Sequence, residues 1–211
     1  MKKLNNQNGR SMIEMLGVLA IIGVLSVGGI AGYSKAMMKY RINKTIEQIT
    51  LIAGNIRTFF APQGNYDGVK CSCDSSGCTG SSDGDGCPII KKAKILPDEM
   101  LTVDANGKIT SIINAFGEKV DLGNVGKNSS GDGKGFYFYY VNVDEEPCIE
   151  LATQDWTSAN IGAICWTIGS KSCYKTPIDL TTALDLCNDG TDLYFNFDID
   201  VSSNYWKGLL K

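Results

Sequence analysis

The chain has 211 residues, enough for one buried core and for no more than two domains. Apolar residues make up 43% and charged residues 20%, a balance that folds, while a net charge of −3 without a Lys/Arg stripe excludes a nucleic-acid binder. There is no histidine, which removes the commonest general base and metal ligand, so neither a catalytic residue, a metal nor a cofactor is expected.

Met1 to Asn8 is polar, with Lys2 and Lys3 as its charges. From Met12 to Gly32 the chain is apolar apart from Glu14 and Ser26, and no charge appears between Met15 and Ser34. As a helix that stretch rises roughly 30 Å, the thickness of a bilayer's hydrocarbon core. The basic residues before it, Lys2, Lys3 and Arg10, place the N-terminus in the cytoplasm and the remainder outside. An ordinary secretory signal cut after Gly29-Ile30-Ala31 and a plain membrane anchor both fit the apolar run. Neither explains Glu14. A lone carboxylate inside an apolar span costs several kcal/mol unless it finds a partner, so it reads as functional.

The helical pattern continues past the span. Ile42, Ile46, Ile49, Ala53, Ile56 and Phe60 recur at spacings of three and four, one apolar stripe, with Lys44, Glu47, Gln48, Asn55 and Arg57 on the opposite face. Pro62 and Gly64 end it. The pattern predicts one helix over residues 10–61, roughly 78 Å long. Its first half is apolar all round and its second half amphipathic. Gly17, Gly23, Gly28, Gly29 and Gly32 stud the first half, either for close helix packing or, at Gly28-Gly29, as a point where the helix loosens.

Asn65 to Cys87 reads as a loop rich in Gly, Ser and Asp that carries Cys71, Cys73, Cys78 and Cys87. Paired CxxC knuckles are missing, so two local disulfides are favoured over a zinc site. Asp83-Gly84-Asp85-Gly86 lacks the ligand ladder of a calcium loop and reads as a solvated turn. Beyond Pro88, Ile89 to Leu96 has helical character, and Lys119 to Leu122 and Gly135 to Val143 are strand-like. Between those two strands, Gly123 to Gly135 reads as a flexible hairpin loop. The aromatic row Phe136, Tyr137, Phe138, Tyr139, Tyr140 is expected to be sheet core rather than a base- or sugar-stacking platform. Pro147 opens a short helix through Thr153, Pro177 opens another through Cys187, and Leu193 to Val201 alternates as a final strand.

Gly9-Arg10-Ser11-Met12-Ile13-Glu14-Met15-Leu16 resembles the prepilin processing motif of type IV pilins and type II secretion pseudopilins. Leu96-Pro97-Asp98-Glu99-Met100, Asn114-Ala115-Phe116-Gly117 with Val120, and Cys148-Ile149-Glu150-Leu151-Ala152 after an aromatic strand resemble the type IVb pilin head, as does a helix ending in Cys187 before the last strand. The resemblance covers residues 9–61 and 95–200 and leaves 65–94 and their extra cysteines outside it. It implies an α+β fold in which a long N-terminal α-helix packs on an antiparallel β-sheet head stabilised by disulfides. It implies a leader over residues 1–9, a pilin helix over 10–61 with its transmembrane part about 12–34, and a globular head over 62–211. A membrane aspartyl peptidase, the prepilin peptidase, would cut after Gly9, and Arg10, where the family usually carries Phe, Met or Leu, would be N-methylated. Glu14 would pair with the amino group of a neighbouring subunit's Arg10. The implied partners are further copies or other pilins, the peptidase, the inner-membrane pilus assembly machinery and, before assembly, membrane lipid. The subunit would sit in the inner membrane with its head outside the cytoplasm, then in a surface pilus for adhesion, aggregation or conjugative contact. A type II secretion pseudopilin is the alternative, against which the IVb-like head counts. A membrane-anchored thiol oxidoreductase is remote, since no CxxC is present.

Eight cysteines in an exported chain read as up to four disulfides. Cys148 begins a helix after the aromatic strand and Cys187 ends one before the final strand, so Cys148–Cys187 would pin the C-terminal segment to the centre of the head. Cys165 and Cys173 then flank Gly169 and Ser170 and pair across a turn. Cys148–Cys165 with Cys173–Cys187 is the competing arrangement. Among Cys71, Cys73, Cys78 and Cys87 all three connectivities remain open.

Overall fold

The computed structural model describes residues 12–74, 77–80, 87–125, 134–168, 170–188, 190–199, 201 and 204–211. Two compact units divide the chain between Tyr40 and Arg41, and one helix, α1 (Met12–Phe60), runs through both.

In the first unit the helix is the whole described structure. From Met15 to Gly32 its side chains are apolar on every face apart from Ser26 and lie open, Val24 at 75% and Leu25 at 68% exposure. It is long and apolar enough to cross a membrane. The two serines of this half are satisfied inside the helix, Ser26 donating to the Ile22 carbonyl at 2.7 Å and Ser34 to that of Ile30 at 3.0 Å. Such i to i−4 bonds make serine tolerable where water is absent.

The second unit, from Arg41, is an α+β domain. Its main sheet has seven strands: β1 (Cys71–Asp74), β2 (Gly77–Gly80), β5 (Val120–Val125), β6 (Gly135–Val143), β7 (Ile161–Ile168), β8 (Ser170–Lys175) and β9 (Thr191–Phe197). Their spatial order is β2-β1-β5-β6-β9-β7-β8, with antiparallel neighbours throughout. A separate ribbon joins β3 (Leu101–Val103) to β4 (Ile109–Ile112). Among its described residues are four short α-helices, α2 (Pro88–Lys92), α3 (Glu145–Thr153), α4 (Leu180–Leu186) and α5 (Asn204–Leu209).

The core forms where two periodicities meet. The second half of α1 buries Ile42, Ile49, Ile52, Ala53, Ile56 and Phe60, the 3.6-residue stripe. Along β6 the period is two. Phe136, Phe138 and Tyr140 are buried in this main core, while Tyr137 and Tyr139 point to the other face and are half-buried. On β9, Leu193, Phe195 and Phe197 join the same core, Phe197 stacking on Phe136 with centroids 4.7 Å apart. The opposite face of the sheet carries a smaller cluster of Ala163, Cys165 and Cys173 capped by Trp206 of α5.

Several local readings are revised by this packing. Asn65 to Cys87 is not all loop, because β1 and β2 form a hairpin whose Cys71 joins the sheet opposite Leu122. Gly123 to Val125 belong to β5 rather than to a linker. A Cβ on Gly123 would lie 2.4 Å from the Tyr137 ring, so glycine is there to let that ring lie on the strand. The described helix of Ile89 to Leu96 is only Pro88–Lys92. The helix after Pro177 begins at Leu180, with Asp179 as N-cap accepting from the Thr182 backbone N–H at 3.0 Å. The last strand stops at Phe197, because Asp198 turns away with φ of 52°. Helix α1 stops at Phe60, where a 3-10 turn at Ala61–Gln63 ends in left-handed Gly64.

Candidate assembly site

In the first unit, Glu14 lies near the start of α1, open on the surface, with Met15, Val18, Leu19 and Ile22 forming a shallow apolar groove beside it. Among the described residues it makes no ion pair. Gly9 and Arg10 lie outside the described residues.

In the second unit, the polar flank of α1 does not face solvent as a plain amphipathic reading predicts. Arg57 is the centre of its attachment. Its Nε donates to Asp198 Oδ2 at 2.8 Å, and its Nη2 donates to Asp198 Oδ1 at 2.9 Å and to the Ala159 carbonyl at 2.7 Å. Asp198 also accepts from Tyr66 Oη at 2.6 Å and from Asn160 Nδ2 at 2.6 Å. Burial pushes the Asp198 carboxyl up, but the donors Arg57, Tyr66 and Asn160 outweigh it and hold it below the usual carboxylate range. The Tyr66 phenol moves the other way, pushed up by burial and then by its bond to Asp198. The guanidinium also lies 5.8 Å from the Phe136 ring centre and 5.9 Å from that of Phe197. One side chain thus ties α1 to the end of β9.

Three further hydrogen bonds run along the same helix. Asn55 Nδ2 donates to the Ile95 carbonyl at 3.0 Å. Lys44 and Gln48 both donate to Glu99, at 2.9 and 3.1 Å, and those bonds, Lys44 first, lower the Glu99 carboxyl. Gln48, expected on the wet face, is buried at 5% exposure because the 97–99 turn folds over it.

The disulfides brace the rest of the head. Cys148 on α3 and Cys187 at the end of α4 are joined, with Cα atoms 5.7 Å apart and 39 positions between them. Cys165 and Cys173 face each other across the β7–β8 hairpin and are bonded. The N-terminal four pair as Cys71–Cys87 and Cys73–Cys78, the second pair linking opposed residues of the β1–β2 hairpin. All eight cysteines are bonded, so none is a thiol. Among the described residues no group of Cys, Asp and Glu is placed to hold a metal ion, and Asp83 to Gly86 lie outside them.

Sequence reasoning missed Arg57, Tyr66 and Asp198 as a unit. A signal existed for half of it. Arg57 borders Ile56 on the flank of the apolar stripe, and Asp198 stands where the alternation of the last strand breaks. Nothing in the sequence joins residues 141 positions apart.

A family model described as PilS N terminal matches residues 39–197. Among solved structures the chain is similar to a type IV b pilin from Salmonella typhi, with 15% identity over 74% of this chain and 99% of that one and a TM-score of 0.52. At that identity the likeness is one of fold. No curated protein matches the chain in sequence.

Proposed function

This chain belongs to the PilS N-terminal family and is a type IV pilin subunit with a type IVb-like head, and from that premise we propose that it is cut after Gly9 and polymerises through α1 into a surface fibre. The observation that carries the reading is a helix half that is apolar on all faces, uncovered by any of the described residues, and interrupted by one carboxylate. Before assembly that half is the transmembrane anchor, with lipid covering it. After assembly other copies cover it.

The role of Glu14 follows from the medium. In lipid or in a fibre core an unpaired carboxylate costs several kcal/mol, and a pair recovers that cost only with good geometry. Cleavage after Gly9 creates an α-amino group on Arg10, four residues before Glu14 and about 6 Å along a helix. A copy displaced by that rise brings its amine level with its neighbour's carboxylate. Glu14 therefore sets register, and the apolar faces supply the area. The prepilin peptidase makes the amine, and the inner-membrane pilus machinery lifts each subunit out of the bilayer. Arg10 is the residue that is N-methylated. In this reading the leader is residues 1–9, the assembly helix 10–61 and the exposed head 62–211. The fibre is a structural element for adhesion, aggregation or conjugative contact, not a catalyst.

The test is Glu14→Leu in the full-length chain. The variant is expected to insert in the membrane with a folded, disulfide-bonded head and to give at least tenfold fewer fibres. Wild-type fibre yield would refute the pairing. Mass spectrometry of the mature chain should find Arg10 first, with Gly9→Val left uncut, whereas an N-terminus at Gly32 would indicate ordinary signal cleavage.

A further inference from the structure

Within the head, a cleft of about 240 Å³ opens between α1 and the turn at residues 97–99. Its walls are Lys44, Glu47, Gln48, Leu51, Pro97 and Glu99. Two carboxylates against one ammonium leave it net acidic. Gln48 is buried, its Nε2 is spent on Glu99, and its Oε1 is shielded from solvent without a hydrogen-bond partner. A buried amide oxygen left alone is costly, about 1–3 kcal/mol, and what it lacks is a donor. Carboxylates beside an unsatisfied acceptor suit a cation that carries several N–H groups, such as an ammonium.

The same head offers such a cation elsewhere on its surface. The turn that closes α2 holds Lys91, Lys92 and Lys94 within four residues, and no acidic residue lies between Cys87 and Leu96. All three lysines are exposed, and Lys91 packs against Gly107. The cleft and the lysines sit at different levels of α1. Gln48 meets Glu99, while Asn55, seven residues further on, meets Ile95 beside Lys94. Seven residues are about 10 Å of helix rise. Complementary patches separated along one axis on the same molecule suit a head-to-tail contact, which builds a fibre when successive copies do not close into a ring.

We propose that the cleft walled by Glu47, Gln48 and Glu99 on one copy receives the ammonium of Lys92 or Lys94 from a second copy of this chain. The proposal rests on the assembly reading and adds to it a contact between heads. The ammonium pairs with the Glu47 and Glu99 carboxylates while its aliphatic stem lies against Leu51 and Pro97, and a turn of the Gln48 side chain brings its amide oxygen, shielded in the free subunit, within reach. Electrostatic complementarity of this kind sets which surfaces meet more than how tightly they hold.

Fibres sheared from cells expressing full-length subunits provide the test. Glu47→Lys should lower fibre yield at least threefold, and so should Lys92→Glu with Lys94→Glu. The three changes together should return the yield to within twofold of wild type, because the charges are exchanged rather than removed. A zero-length carbodiimide should link Glu47 or Glu99 to Lys92 or Lys94 in fibres and not in detergent-solubilised subunits. Failure of the combined variant to recover, or absence of the link from fibres, overturns the proposal. Glu14→Leu in the same assay separates the two ideas. If it alone abolishes fibres while the charge variants are indifferent, the cleft is wrong and the assembly reading stands. All the altered charges are on exposed side chains, and unchanged non-reducing proteolysis patterns will verify folding.

Discussion

The two halves of α1 share one backbone geometry and differ in their surroundings. In residues 12–40 apolar side chains point in all directions, the two serines are satisfied inside the helix and Glu14 is left open. In residues 41–60 the buried apolar side chains share one stripe, Leu51 and Phe59 lying exposed off it, and polar groups on its flanks bond to partners far along the chain. In the proposed reading the first half is covered by lipid or by copies of itself. The second half belongs to the core of its own head. A helix of this length needs no change of backbone to serve both media, only a change in how its apolar residues are spaced.

That contrast can be broken most severely from the head side. Cys187→Ser opens the 39-position loop closed with Cys148 and should cost about 3–4 kcal/mol of head stability. Non-reducing limited proteolysis should then degrade the head, while extraction by alkali still finds the helix in the membrane.

Paired truncations sharpen it. Ile52→Ala removes a fully buried side chain and should cost the head about 3 kcal/mol in urea unfolding. Ile22→Ala, on the uncovered half, should leave head stability within about 0.5 kcal/mol and show only in fibre yield. Equal effects on the head would contradict the division.

Arg57→Leu should cost about 2 kcal/mol, since it strips Asp198 of two donors in a half-buried place. The larger loss at Ile52 would confirm that packing outweighs the ion pair in holding the helix.

The smallest effect is on pH dependence. The folded Asp198 carboxyl lies below its ordinary value of about 3.9, so its contribution is full above that value and is lost as pH falls through the folded one. Asp198→Asn should make the acid limb of the melting-temperature profile shallower below about pH 4 and leave its slope at neutral pH unchanged. An unaltered acid limb would show that the bond to Arg57 carries no linkage.

Short-range features were readable because their causes are short-range. The apolar run after Met12, the solitary Glu14, the stripe from Ile42 to Phe60 and the aromatic strand β6 each follow from residue types on one element, although the row was expected to be core throughout and Tyr137 and Tyr139 lie half-buried on the other face. The β7–β8 hairpin was less visible, because Ile161 to Ile168 mixes Gly, Ala, Cys and Trp rather than alternating strictly. Strand β5 was cut short for a similar reason. Gly123 reads as a loop residue until Tyr137 is known to lie across it.

What the amino-acid order determined by itself was the kind of molecule: a chain with one spanning helix, an amphipathic continuation and a cysteine-rich head with an aromatic strand. Tertiary structure alone decided which polar side chains of α1 are wet. Gln48 and Glu47 are adjacent and equally polar in sequence, yet one is buried under the 97–99 turn and the other is exposed. Arg57 could have been solvated, and it is held because β9 ends at Phe197 and Asp198 turns its carboxylate towards the helix. Helical periodicity assigns a residue to a face, but burial of a flank depends on what the rest of the chain lays over it. That information lies in contacts between residues 40 to 141 positions apart, which no local pattern carries.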